Sequence, residues 1–142
     1  MLVQEFLESS AERLPDKVAL VLDNRRFTYA EIESDANRFA NALIALGIAR
    51  GDRVALYLPN SLELVVAIFG TLKAGAVFVV VNSSTKYPKL TYLLNDCQAR
   101  VLVTGEAHAQ ALPMVIDQVT SHPLVILCGA SLEQSLGKHK NH

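Results

Sequence analysis

The sequence predicts an α/β fold, a largely parallel sheet with helices on both faces. Residues 54–58, 77–81 and 124–128 are short, unbroken apolar runs, the pattern of strands buried on both sides. Around them apolar residues recur at helical spacing instead. Strands that alternate with helices join through crossovers, and crossovers make them parallel.

In chain order, residues 3–13 carry Phe6 and Leu7 at helix-like intervals with Leu14 just beyond, and Pro15 with Asp16 ends that helix. Residues 18–22 and 25–28 read as a hairpin turning at Asp23 and Asn24. Thr28 and Glu31 form a capping-box signature, in which hydroxyl and carboxylate satisfy backbone donors at a helix start. The helix runs to about Leu46, with Ile32, Ala36, Phe39, Ala40 and Leu43 in one stripe and Gly47 as its stop. Pro59 ends the strand at 54–58, and Asn60, with Glu63 three residues later, is expected to cap the next helix. Residues 64–69 are apolar all round, which places this helix deep in the fold, and Gly75 closes it. A second buried strand, 77–81, leads into the polar loop 82–85. Leu90, Leu93, Leu94 and Cys97 then mark a helix, 100–104 a third buried strand, Pro113 a helix start, and 124–128 a fourth core strand.

With 142 residues, one core is the expected count, burying about 70% of the surface the unfolded chain exposes. Charged residues make up 19% and the formal net charge is −1, so nothing provides the basic face that a nucleic-acid backbone requires. Cys97 and Cys128 are far apart without paired spacing, which suits buried thiols in a reducing compartment. The first residues lack a basic start and a long apolar core, so no secretory signal is expected and the chain reads as cytoplasmic. Residues 62–81 are the one membrane-like stretch, but Lys73 interrupts them and Gly70 and Gly75 divide them. A lysine at a bilayer centre costs about 3 kcal/mol, so no membrane span is expected.

The order of residues, not the composition, carries a resemblance. Phe27, Thr28, Tyr29 and Glu31 are followed by residues 37–43 (NRFANAL), 51–55 (GDRVA), Pro59, Asn60, Ser61 and Glu63, then 73–76 (KAGA) and Asn82. This succession closely resembles the amino-terminal region of the adenylate-forming, AMP-dependent synthetases and ligases, over roughly residues 6–127. The later stretch KYPKLTYLLNDCQARVLVT looks more like the acyl-CoA synthetase branch, and so implies fatty acid metabolism. The resemblance implies that a carboxylate and ATP give an acyl-adenylate and pyrophosphate, after which a thiol such as coenzyme A takes the acyl group. It implies ATP, magnesium and coenzyme A for a full-length enzyme, and no cofactor held by this chain. In the family the phosphate loop, adenine segment, ribose contact and catalytic lysine follow this region. Here the seven glycines are scattered through the chain rather than gathered in a phosphate cradle. The family also has proline after the asparagine that ends the second buried strand, whereas Ser83 follows Asn82 here. Serine is expected to leave that loop looser.

Asn60, Ser61 and Asn82 fall just past the carboxyl ends of strands, the edge where open α/β sheets bind ligands. They are the substrate-proximal candidates, against a plainer reading as caps and turn residues that weighs more heavily. Residues 83–85 (SST) could form an anion loop, but a helix cap outweighs that reading. His139 and His142 have the spacing of a metal pair, yet two ligands do not make a site. Asp52 reads as a turn residue rather than a base, and His108 and His122 have no carboxylate or serine at informative spacing. No catalytic, cofactor-binding or metal residue is assigned.

Residues 1–128 are therefore expected to form part of an AMP-binding subdomain, with 129–142 a polar tail. The chain is expected to be the amino-terminal fragment of a synthetase, inactive alone, with the remainder of the synthetase or a homodimer partner completing it. The alternative is a non-catalytic module that binds or dimerises through strand edges and the apolar helix at 64–69.

Overall fold

The computed structural model describes residues 3–22 and 24–128. The predicted tail at 129–142 with His139 and His142, the turn residue Asp23, and the Phe6 side chain lie outside the described residues.

The chain forms α1 (Val3–Arg13), the hairpin β1 (Val18–Leu22) and β2 (Arg25–Thr28), α2 (Tyr29–Ala45), β3 (Arg53–Tyr57), α3 (Leu62–Lys73) and β4 (Val77–Val81). It continues with α4 (Tyr87–Cys97), β5 (Val101–Gly105), a single 3₁₀ turn (Glu106–His108), α5 (Leu112–Asp117) and β6 (Leu124–Cys128). β1 and β2 pair antiparallel. The other four strands make one parallel sheet in the order β4, β3, β5, β6. The predicted fold class, elements and pairing all stand.

Alternation along β3 and β5 sorts the core into two layers. Val54, Leu56, Val101 and Val103 face Phe39 and Leu43 of α2 and Val66 and Ala67 of α3. Ala55, Tyr57 and Leu102 face Leu90 and Leu94 of α4 and Leu112 and Val115 of α5. A third cluster, Leu7, Phe27, Ile32 and Ala36, closes the hairpin and α1 over the outer side of α2 and α3, where it meets Leu62, Val65 and Phe69.

That third layer explains why α3 is apolar all round, because the sheet covers one side and the hairpin the other. The helix at 64–69 is thus not an exposed surface seeking cover, as the binding-module alternative required. Gly70 does not divide the segment either. It lies inside α3 at the crossing with α2, where an added Cβ would sit 2.6 Å from Phe39 Cδ1 and 2.8 Å from Phe39 Cβ. Gly75 does end the helix, with φ of 79°, a conformation that favours glycine.

Two further expectations need correction. β4 and β6 are sheet edges, not fully buried strands, and Val77 and Val80 are 47% and 48% exposed. An unbroken apolar run does not distinguish an edge from a centre, because both pack on two faces and differ only in lateral pairing. At the start of α3, the N-cap is Ser61, whose hydroxyl accepts from Leu64 N, and not Asn60. The capping box at Thr28 and Glu31 is present as expected.

Candidate functional site

The connection from β3 passes to β4 by way of α3 on one face, while that from β5 passes to β6 by way of α5 on the other. β3 and β5 are neighbours, so their carboxyl ends flank the point where the chain diverges. Open parallel sheets bind ligands in the crevice at such a point.

Tyr57 is the last residue of β3 and is 2% exposed. Its phenol donates to the Thr85 carbonyl at 2.5 Å. Thr104, at the matching position of β5, donates its buried hydroxyl to the Tyr57 carbonyl at 2.8 Å. His108, from the turn after β5, lies against the Tyr57 ring with centroids 4.6 Å apart. Its Nδ1 is 2.8 Å from the hydroxyl of Tyr87, the first residue of α4, whose ring meets it edge-on. Burial, and then the nearby Tyr87, push the Tyr57 phenol above its ordinary pKa. These three rings and the loop 83–86 enclose a cleft of about 340 Å³.

A second cleft of about 430 Å³ lies between β3 and β4, lined by Pro59, Asn60, Leu64, Asn82 and Ser83 among others. It brings together two of the three sequence-nominated residues. Asn60 is exposed on its rim. Ser61 is committed to capping α3 and also donates to the Pro59 carbonyl at 2.9 Å. Asn82 accepts from the Ser84 amide at 2.9 Å and the Ser84 hydroxyl at 2.7 Å, while its carbonyl accepts from Thr85 N at 2.9 Å.

The loop with serine at 83 is therefore tethered by Asn82 within and by Tyr57 beneath. Residues 83–85 do not cap α4, since its N-cap is Lys86 without a side-chain cap bond. Asp52 serves the turn, accepting from Ala49 N at 2.8 Å. His122 sits in the turn before β6 with φ of 46°. Sequence reading missed Tyr57, Tyr87 and His108, because they are 30 and 21 residues apart and only the sheet order joins them. Tyr57 did carry one signal, a polar tip at the carboxyl end of a strand whose preceding three residues, Val54, Ala55 and Leu56, are aliphatic.

A magnesium–nucleotide complex does not fit this donor set on its own. Among the described residues no carboxylate lines either cleft, and no three His, Cys, Asp or Glu side chains could share a metal ion. Among those residues, too, no helix is long and apolar enough to cross a membrane. A wider cleft of about 580 Å³ beside α1 and α2 is lined by Glu8, Glu12, Glu33 and Lys73. Its lysine ends α3 at the opposite edge of the sheet.

Comparison with known proteins agrees with this architecture. A model of the AMP-binding enzyme family matches residues 7–141. A Mycobacterium marinum medium/long-chain-fatty-acid–CoA/3-oxocholest-4-en-26-oate–CoA ligase is 35% identical over 80% of this chain and 21% of its own length. Tyrocidine synthase 1 of Brevibacillus parabrevis is 33% identical over 88% of the chain and 11% of its length. The N-terminal domain of FACL13 from Mycobacterium tuberculosis superposes with a TM-score of 0.85 at 33% identity, covering 98% of this chain and 36% of that one. The anthranilate CoA ligase AuaEII bound to anthranoyl-AMP gives 0.86 at 28% identity, over 96% and 27%. The chain thus spans about a fifth of the mycobacterial ligase. With most of its length matched by the family model, and its fold shared with structures from that family, the chain belongs to the AMP-binding enzymes.

Proposed function

We propose that this chain is the amino-terminal portion of an AMP-forming acyl-CoA ligase, which couples a carboxylate to ATP as acyl-adenylate and pyrophosphate and then forms the thioester with coenzyme A. The observation that carries the reading is the family match over residues 7–141, on a sheet whose carboxyl edge holds two clefts. The relatives that act on fatty acids and anthranilate favour an acid–thiol ligase, and fatty acid metabolism in the cytoplasm is the setting we assign. Residues 1–128 form the amino-terminal subdomain and 129–142 a polar tail. Asn60, Ser61 and Asn82 lie nearest the substrate, with Asn60 and Asn82 on the rim of one cleft.

Alone the chain does not adenylate, since among the described residues neither cleft at the carboxyl edge of the sheet is lined by a glycine-rich phosphate cradle or a carboxylate for magnesium. ATP–pyrophosphate exchange with a panel of acids is expected to be absent for the 142-residue chain. It is expected to appear when the chain replaces the matching region of the Mycobacterium marinum ligase. Exchange by the chain alone overturns the claim of inactivity, and a folded but inactive chimera overturns the ligase reading. The exposed valines of β4 favour one second reading, a homodimer formed edge to edge in place of the remaining synthetase. Light scattering on the same sample separates the two, because a monodisperse monomer removes the dimer.

A further inference from the structure

We propose that Tyr57 and His108 are positioning residues that hold the loop between β4 and α4, and with it Asn82 and Ser83, in place at the ligand edge of the sheet. This rests on the ligase reading for its functional meaning, but its geometry stands alone. The loop has few other anchors. α4 begins without a side-chain cap, and Ser84 is bonded to Asn82 inside the loop rather than to the sheet.

What joins the loop to the sheet is a chain of three rings. Tyr57 holds the α4 side of the loop through the Thr85 carbonyl at 2.5 Å, and Asn82 is tied to that side by its bonds to Ser84 and Thr85. Two residues on, Tyr87 bonds His108 Nδ1 at 2.8 Å, and the His108 ring rests on Tyr57. Each ring comes from a different element: the end of β3, the first turn of α4 and the turn after β5. A buried phenol needs a partner, so Tyr57 has one stable arrangement, with its hydroxyl aimed at the loop. With the Tyr87 hydroxyl donating, Nδ1 accepts and His108 carries its proton on Nε2. The arrangement lies across the divergence of β3 and β5, so a shift of the turn after β5 reaches Asn82 through it.

The test uses the 142-residue chain without substrate, comparing Tyr57→Phe and His108→Phe with the parent by amide hydrogen exchange. Tyr57→Phe removes only the hydroxyl, while His108→Phe keeps a ring against Tyr57 but removes the acceptor for Tyr87. Each is expected to speed exchange at Ser84 and Thr85 about tenfold while Leu56 and Val103 are unchanged. Nitrogen chemical shifts of His108 should show the Nε2–H tautomer in the parent and lose that preference in Tyr87→Phe. Unchanged loop exchange in both variants overturns the proposal, as does a rise shared equally by loop and core. Should Tyr57→Phe not fold, His108→Phe and the tautomer signal decide alone. Because no substrate is present, failure here removes the positioning role and leaves the ligase reading intact, whereas an inactive chimera does the reverse.

Discussion

Single residues in this chain are constrained most tightly where backbones approach. Gly70 lets α3 settle against Phe39, a fully buried ring whose burial alone stabilises the fold by about 1.5–3 kcal/mol. A methyl group at 70 meets carbon at well under contact distance, with the Ala36 carbonyl 3.0 Å away, so the ring and the helix crossing must both move. Gly70→Ala is expected to destabilise by about 1–3 kcal/mol, despite the better helix propensity of alanine. Denaturant midpoints would show it, and a gain in stability would refute the crossing. The thiols lie at the other extreme of constraint: Cys128 is buried as the sequence suggested, whereas Cys97 is only half-buried. Burial, and then Glu63, push Cys128 up to about 12, and burial raises Cys97 as well, so neither is poised as a nucleophile.

Elements begin and end where side chains meet the unpaired backbone groups of helix termini. Here residue patterns were legible to within a position or two. Thr28 and Glu31 announce α2, and both reciprocal bonds form, at 2.9 and 3.2 Å. The start of α3 shows the limit, because Asn60 and Ser61 are adjacent and each can cap. Choosing between them depends on where Pro59 directs the chain, which spacing does not encode. The structure makes a distinction that mutation can check. Ser61→Ala is expected to cost about 1 kcal/mol and Asn60→Ala less than about 0.5 kcal/mol. Thermal melts that ranked them in the reverse order would restore the assignment read from sequence. The same dependence on three dimensions hid the edge character of β4 and the ring chain around His108, since strand order is not written in any local run.

For the molecule as a whole, one ion cluster ties the outer layer to the core. Lys73, at the end of α3, pairs with Glu8 of α1 at 2.8 Å and with Glu33 of α2, its side chain only 7% exposed. The lysine inside an apolar stretch was legible in the sequence. Its pairing was not, because α1, α2 and α3 meet only in the fold. Burial alone would lower the Lys73 ammonium, but its hydrogen bonds to Glu33 and Glu8 outweigh that and hold it above 10.5. A raised lysine contributes stability in full below its unfolded value, and that contribution is lost as pH rises through the folded value. Lys73→Met should therefore cost about 2–4 kcal/mol near neutrality, since Glu33 is left mostly buried without its counter-charge. Above pH 10.5 the parent should lose the same term and its stability should converge on that of the variant. Cys128 and Tyr57, whose protons burial also retains, destabilise both proteins alike in alkali and cancel from the difference. Urea unfolding of parent and variant from pH 7 to 12 measures that difference directly. A constant gap across the range would mean that Lys73 acts through the packing of its stem rather than through its charge.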